Sequence, residues 1–240
     1  MTSLVSHGAP PTGTEPGMRD WPLITLNLDL KSEEPEHLAA IWQLLAEYQD
    51  WLTTAPRTGT IDRMETLEVR PVLVLTGESD AQKAVFYDQV AVGGKLFVFG
   101  AVRTNTHDPS APPEGLAPNP ADNYHRWWNN SWRVVEPEGQ SKAGNWNVKK
   151  ELCLNQLVRY AHGHNLWIRF YTLDGSTKQE LSCNGWFSSY NFGSREAVRK
   201  RWQAAAKAGV DYIASDQYEE LGAFLKSFGP NRATTKPNPT

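Results

Sequence analysis

The 240-residue sequence predicts an α/β protein in which parallel strands alternate with helices. Three observations support this prediction. Short apolar runs recur along the chain, an amphipathic helical stretch follows most of them, and several runs end in charged or polar residues. Such alternation is typical of parallel sheets, either an open doubly wound sheet or a (β/α)8 TIM-type barrel.

The first strand–helix unit is "LITLNLDLKS" with the stretch that follows it. Apolar and polar residues alternate in this segment, so one face of the strand is apolar and the other ends in Asp29 and Lys31. Residues 32–55 then carry apolar residues at helical spacing, with Ser32 as candidate N-cap and Pro35 in the first turn. The pattern predicts a strand that leads directly into a helix.

The same unit recurs towards the C-terminus. Further strands are predicted at 70–77, 93–102, 166–175 and 209–216, and further helices at 79–89, 147–165, 194–209 and 217–229. Between residues 104 and 147 the alternation lapses into a segment rich in Pro, Asn and Trp, which predicts a long inserted loop. We therefore expect a single domain over residues 1–228 and a disordered tail over 229–240.

Composition excludes several classes of protein. The net charge of −3 is spread without a basic stripe, which argues against nucleic acid as a partner. No stretch approaches the roughly 20 apolar residues that an integral membrane helix needs. Glycine-rich nucleotide loops, a Ser nucleophile elbow and metal motifs with Cys or His spacing are not present in the sequence. Cys153 and Cys183 are too few for a disulfide framework, and the compartment stays open.

Charged residues that end predicted strands are the first candidates for a site, because parallel α/β folds place their sites there. Asp29 and Lys31 have this position, and a charge that faces a barrel lumen is costly unless it is paired, metal-bound or functional. A buried Asp–Lys ion pair is the equal alternative. His7 ends an apolar run and suits a general acid or base, although a lone His is more often structural.

Arg169 and Tyr171 share one face of the predicted strand at 166–175. An Arg at such a position suits a bidentate contact to an anion. An ion pair with Glu151 or Asp211 is an equally good interpretation.

The segment "HRWWNNSW" places Trp128, Asn129 and Asn130 together in the predicted loop. Flat aromatic rings with amides suit a sugar or inositol ring, and ordinary packing of a tryptophan-rich loop is the alternative. The sequence alone leaves both interpretations open.

Several of these segments resemble the phospholipase C-like phosphodiesterases, a TIM-barrel superfamily that includes glycerophosphodiester phosphodiesterases, phosphatidylinositol phospholipases C and sphingomyelinases D. "LITLNLDLKS" resembles the fourth-strand Asp/Glu-x-Lys motif, and "SHGAPPT" is similar to the third-strand His-Gly segment. "IRFYTLDG" and "AGVDYIASDQYEELGAFL" resemble the seventh strand and the closing strand and helix.

The resemblance implies a role for each of three residues. Asp29 would bind a divalent cation, Mg²⁺ or Ca²⁺, Lys31 would hold the phosphate, and His7 would transfer a proton. Arg169, from its position on the predicted strand, would also contact the phosphate. In that family the first two strands carry the second histidine and most of the metal-binding acids, and only six residues precede His7. We therefore expect a barrel that is incomplete at the N-terminus, with about six of eight strands and an open edge that a partner or a preceding segment would close.

These expectations define two functions. The first is a phosphoric diester hydrolase that acts on a glycerophosphodiester or phospholipid headgroup by metal-assisted acid/base catalysis, inactive alone if the missing strands are needed. The alternative is a non-catalytic barrel remnant that binds a carbohydrate, polyol or lipid headgroup through the Trp/Asn segment. A glycoside hydrolase would instead need two facing carboxylates.

Overall fold

The structure, a computed structural model, describes residues 23–106, 108, 111–117, 119–184 and 187–227. His7 and the predicted tail at 229–240 lie outside the described residues. No helix in the described part is long and apolar enough to cross a bilayer.

Six of the described strands form one parallel sheet. In chain order these six are β1 (Ile24–Asn27), β3 (Val72–Thr76), β5 (Val98–Ala101), β6 (His125–Ser131), β7 (Trp167–Tyr171) and β8 (Tyr212–Ile213). Their spatial order is the same as their chain order, so the sheet has no point at which the order reverses. A doubly wound sheet has such a switch point, whereas strands that follow one another are typical of a barrel.

Two short strands form a separate antiparallel pair, β2 (Ala55–Pro56) and β4 (Lys95–Leu96). The single strand predicted at 93–102 is therefore two strands, β4 and β5. The α-helices of the described residues are α1 (Pro35–Glu47), α2 (Asp80–Lys83), α3 (Pro113–Leu116), α4 (Val148–Gly163), α5 (Lys178–Asn184), α6 (Arg195–Ala208) and α7 (Tyr218–Ser227). A π-helical turn, Ala84–Asp88, directly continues α2.

The chain divides into two compact units, with the boundary between Phe99 and Gly100, inside β5. In the first unit Trp42 of α1 packs against Phe86 and Phe97, at centroid separations of 6.3 and 4.6 Å. Pro35 occupies the start of α1, as predicted.

Two predictions about this first unit are wrong. Ser32 is not the N-cap of α1, because Glu34 holds that position and the Ser32 hydroxyl accepts a bond from the Glu34 amide at 3.3 Å. The apolar face of β1 is not buried either, since Ile24 and Leu26 are both exposed. Among the described strands, β1 is the last in the strand order and pairs with β3.

The second unit has a large apolar core in which β6 and β7 pack against α4 and α6. One face of these strands contributes Trp128, Ile168 and Phe170, which lie with Leu157 and Trp202 of the two helices in one cluster. α6 starts and stops as its sequence predicts. Its N-cap hydroxyl binds a first-turn amide at 3.1 Å, and a left-handed glycine ends it (Ser194, Ala197 and Gly209).

The predicted loop at 104–147 contains a strand, and that prediction is therefore wrong. β6 is the longest strand described and pairs in parallel with β7 over five residues. Trp127, Trp128, Asn129 and Asn130 of "HRWWNNSW" adopt strand conformation because the neighbouring strands supply hydrogen-bond partners on both sides. Tertiary context here overrides the low strand propensity of Asn.

Candidate functional site

On one face of β6, β7 and β8 the residues towards the C-terminal ends of β6 and β7 are polar and half-exposed, whereas Trp127 on the same face is buried. The parallel register aligns Asn129 with Arg169 and Arg169 with Tyr212, and aligns Ser131 with Tyr171. Side chains in register lie on the same side of a parallel sheet, and alternate residues lie on the other side. We call this surface the open face; its residues are Asn129, Ser131, Arg169, Tyr171 and Tyr212, all of intermediate exposure.

Arg169 is the cation of the open face. Its Nη1 donates a 2.7 Å hydrogen bond to Oδ1 of Asn129, and its guanidinium carbon lies 5.4 Å from the centroid of the Tyr171 ring. Because Asn129 is neutral, this bond orients the guanidinium without cancelling its charge. The open face therefore presents an oriented positive group beside an amide and a phenol.

Neither acid that the sequence suggested as an ion-pair partner is bound to Arg169. Asp211 accepts hydrogen bonds from Nε2 of His162 at 3.0 Å and from the Ile168 amide at 2.8 Å. Glu151 is an exposed residue of α4. The two acids therefore lie outside the contacts described for Arg169, which are with Asn129 and Tyr171.

Two of the predicted substrate-binding residues lie on the opposite side of the sheet. Trp128 and Asn130 are buried on the face that packs against the helices. Trp132 is also buried, and its Nε1 donates to Oε2 of Glu136 at 2.7 Å. The prediction that the tryptophans and both asparagines form one binding surface is wrong, because the alternation of a strand separates Asn129 from its two neighbours.

Asp29 and Lys31 form the ion pair that the sequence suggested, with 2.7 Å between Nζ of Lys31 and Oδ2 of Asp29. The pair is not buried, since the two side chains are 74% and 83% exposed for Asp29 and Lys31 respectively. Both residues lie just beyond the C-terminal end of β1. A pair this exposed adds little stability, so its removal leaves the fold intact.

A divalent cation would need several oxygen or nitrogen ligands together. Among the described residues no group of three or more His, Cys, Asp and Glu side chains is placed to hold a metal. Asp29 is one hard oxygen ligand, and its carboxylate accepts a hydrogen bond from the Lys31 ammonium. The described residues alone do not make a complete cation site.

Thr172 connects the ends of β6 and β7 beside the open face. Its Oγ1 lies 3.3 Å from both Oγ of Ser131 and the amide of Trp132, which donates to it. Gln140, which is buried, donates through Nε2 to Oγ1 and, at 2.9 Å, to the Thr172 carbonyl. The φ of Thr172 is +67°, a conformation that a β-branched residue rarely adopts. These bonds hold the strained backbone directly after Tyr171.

A buried ion cluster of Glu136, Lys150 and Arg201 lies in the same unit. Arg201 binds both carboxylate oxygens of Glu136, at 2.9 and 2.8 Å, and Lys150 binds one of them at 2.5 Å. Burial opposes ionisation of Glu136, but the bonds from Arg201, Lys150 and Trp132 outweigh it and lower the pKa of this carboxyl. The cluster fixes the segment after β6 to α4 and α6. Sequence reasoning missed it because 65 positions separate Glu136 from Arg201.

A second buried acid, Asp174, follows β7. Its Oδ1 accepts hydrogen bonds from Oγ of Ser215 at 2.7 Å and from the Asp216 amide at 2.8 Å. Burial raises the pKa of Asp174, with a smaller contribution from the nearby Asp216 charge. The segment after β8 is thereby attached to the segment after β7.

Comparison with known proteins adds no relative to this description. No protein-family model matches the chain, and a search of the curated proteins finds no match.

The two cysteines are free thiols, Cys153 partly buried and Cys183 exposed.

Proposed function

We propose that this protein is a phosphoric diester hydrolase of the phospholipase C-like class, and that the open face holds the headgroup of its substrate. The observation that carries the proposal is the oriented guanidinium of Arg169, next to Asn129 and Tyr171 on the half-exposed side of a parallel sheet. A guanidinium binds a phosphate through two parallel hydrogen bonds, which fits a phosphodiester better than a neutral ligand. The non-reversing strand order supports the TIM-type barrel of that class.

Each remaining group has a chemical part in the proposal. The Asn129 amide and the hydroxyls of Tyr171 and Tyr212 suit the hydroxyl groups of a glycerol or inositol headgroup. Lys31 would offset phosphate charge, Asp29 would supply one ligand to Mg²⁺ or Ca²⁺, and His7 would transfer a proton; these three assignments rest on the sequence resemblance.

The test is turnover of glycerophosphocholine, glycerophosphoinositol and phosphatidylinositol by the full chain, with EDTA, Mg²⁺ or Ca²⁺. Arg169→Met is expected to lower kcat/KM at least about thirtyfold, because a charged hydrogen-bond donor to the phosphate is lost. Arg159→Met is the matched control, since Arg159 is an exposed residue of α4. Equal turnover by both variants, or no turnover of any phosphodiester by the parent chain, would contradict the proposal.

A separate experiment tests the exposed ion pair of Asp29 and Lys31. Asp29→Asn is expected to abolish metal-dependent turnover and leave the unfolding midpoint unchanged, because an exposed ion pair contributes little stability. Glu196→Gln removes the carboxylate of another exposed ion pair, with Lys200, and is the control. Undiminished turnover in Asp29→Asn would remove Asp29 from the site.

A non-catalytic binder of polyols is the second candidate. The half-exposed Tyr171 and Tyr212, with the Asn129 amide, favour it, because neutral hydroxyl-rich ligands need aromatic faces and amides. The buried tryptophans of β6 do not contribute to it. Calorimetric binding of free myo-inositol without turnover of any phosphodiester would select the binder.

A further inference from the structure

Arg57 of the first unit is a half-buried cation without a counter-ion. Its guanidinium forms no hydrogen bond and no ion pair with the residues that the structure describes. Nε is enclosed by the protein, whereas the two Nη nitrogens reach the surface. A buried donor without an acceptor costs free energy, and such groups are uncommon unless they bind a water, an ion or a ligand.

The backbone of Arg57 lies opposite a glycine bulge. Two residues, Gly93 and Gly94, oppose this single residue. The Arg57 amide donates to the Gly94 carbonyl at 2.7 Å, and the Gly93 amide donates to the Arg57 carbonyl at 2.8 Å. Gly93 has φ +83°, the left-handed conformation that this kind of bulge requires. The bulge ends the pairing of β2 with β4 and fixes the backbone from which the Arg57 side chain extends.

The ring of Tyr87 supports the guanidinium. Cζ of Arg57 lies 4.9 Å from the centroid of this ring, within the range of a cation–π contact. Tyr87 belongs to the π-helical turn and is 3% exposed, so its own surroundings hold the ring in place. A guanidinium that rests on an aromatic ring can still bind a planar anion through two parallel hydrogen bonds.

A second cation on the same ring has its anion within the chain. Nζ of Lys83 lies 5.4 Å from the Tyr87 centroid and binds both carboxylate oxygens of Asp88, at 2.8 and 3.0 Å. The chain therefore supplies a carboxylate to one of the two cations on this ring. In the described ranges it supplies none to Arg57.

We propose that Arg57 binds the carboxylate group of a small organic acid. A monovalent carboxylate matches both the single charge and the planar fork of the guanidinium. A phosphate dianion would instead leave excess negative charge near the Asp88 carboxylate, which is 48% exposed. The site belongs to the first unit and is independent of the proposed function, whose guanidinium is Arg169 of the second unit.

The test is a titration of the full chain with acetate, followed by ¹H–¹⁵N NMR at the Arg57 Nε–H and at the backbone amides of residues 57, 93 and 94. Saturable shifts with a dissociation constant of roughly 10 mM are expected, and inorganic phosphate at mildly alkaline pH should bind more weakly. Arg57→Met should weaken acetate binding at least about tenfold, and Arg57→Lys should weaken it less because the charge is kept. Arg63→Met is the matched control, since Arg63 is 75% exposed and pairs with Glu65.

Gly93→Ala tests the bulge, and Gly59→Ala is its control. A Cβ at either position would meet nothing within 4 Å, but only Gly93 has a positive φ. Gly93→Ala should therefore weaken acetate binding severalfold through the backbone alone, and Gly59→Ala should leave it unchanged. Equal affinities in the two alanine variants would mean that the bulge does not position Arg57.

Three results would overturn the inference. They are the absence of saturable shifts with acetate, equal affinity in Arg57→Met and Arg63→Met, and tighter binding of phosphate than of acetate. Arg169→Met separates this site from the open face, because acetate should still shift the amides of residues 93 and 94 in that variant. Loss of those shifts in Arg169→Met would also overturn the inference. Failure of the chain to hydrolyse any phosphodiester would reject the proposed function and leave these expectations unchanged.

Discussion

Arg169 and Asn129 face each other in register on neighbouring parallel strands, and Nη1 of the arginine donates to Oδ1 of the asparagine at 2.7 Å. The partner is a neutral amide where a carboxylate would form an ion pair. This hydrogen bond orients the guanidinium without placing a negative charge beside it.

Asn129→Asp tests this relationship. The substitution keeps the geometry but turns the hydrogen bond into an ion pair, so affinity for inorganic phosphate should fall at least about tenfold while stability is kept. Asn129→Ala should lose about 1 kcal/mol of stability with a smaller loss of affinity. Calorimetric titration with phosphate and urea unfolding measure the two effects. Unchanged phosphate affinity in Asn129→Asp would show that Arg169 does not contact the anion.

Glu136→Gln should be strongly destabilising. The variant leaves Arg201 buried without its charged partner, and breaking a buried pair from one side costs roughly 3–5 kcal/mol. Glu196→Gln, which removes an exposed partner of Lys200, should change the free energy of unfolding by less than about 0.5 kcal/mol. Urea denaturation of the two variants at neutral pH gives the comparison. Similar small losses in both would mean that the buried ion cluster does not stabilise the fold.

The same carboxyl predicts a loss of stability in acid. Because the folded-state pKa of Glu136 is lowered from its usual 4.5, its stabilising contribution is present above that value and is lost as the pH falls through the lowered folded-state pKa. Stability measured from pH 6 downwards should therefore decline in the parent chain. Glu136→Gln should show a shallower decline, and identical slopes would contradict the assignment.

The Asp174 carboxyl is expected to affect the pH dependence of stability in the opposite direction from Glu136. Its folded-state pKa is raised above the usual 3.8, mainly by burial, so its contribution is most favourable below that value and is lost as the pH rises through the raised pKa. Asp174→Asn keeps an oxygen acceptor for Ser215 and the Asp216 amide without the charge. The variant should be at least as stable as the parent at pH 7 and gain no advantage near pH 3.5. A large loss at pH 7 would show that the ionised carboxylate is required.

Thr172 allows backbone strain and side-chain hydrogen bonding to be separated. Thr172→Ala removes the hydroxyl and keeps a Cβ at φ +67°, whereas Thr172→Gly also relieves the strain. The alanine variant should therefore be the less stable of the two by about 1 kcal/mol. Asn165, at φ +58°, is the control, and its alanine variant should also be less stable than its glycine variant. Equal stability of the two Thr172 variants in urea unfolding would contradict the inference that the backbone at Thr172 is strained.

The sequence predicts those parts of the fold whose signals are local. The helix over Pro35–Glu47 and the strand over Trp167–Tyr171 follow directly from apolar residues at periods of 3.6 and 2. The shared face of Arg169 and Tyr171 follows from the same period and is present in the structure. These elements need no information from distant parts of the chain.

β6 and the residues that join the site through it depend on long-range pairing. "HRWWNNSW" carries two asparagines and lies among prolines, so local propensity indicates a loop, and only its position between β5 and β7 makes it a strand. The register that brings Asn129 to Arg169 spans 40 positions. The sequence did not identify Tyr212 as a residue of the open face, because its alignment with Arg169 also depends on long-range strand pairing. If residues 125–131 are taken as a strand, alternation places Asn129 and Asn130 on opposite faces. That alternation is the sequence signal that could have identified Asn129 as the asparagine of the open face.

The tryptophans of the chain also provide a fluorescence signal of its unfolding. Trp42 and Trp51 belong to the first unit, whereas Trp128, Trp132 and Trp202 lie in the core of the second. Replacing Trp42 and Trp51, together with Trp21, which precedes the described residues, by phenylalanine leaves tryptophan emission only from residues beyond Phe99. Intrinsic fluorescence, recorded with and without that replacement, then resolves whether the two halves of the chain melt in one transition or in succession.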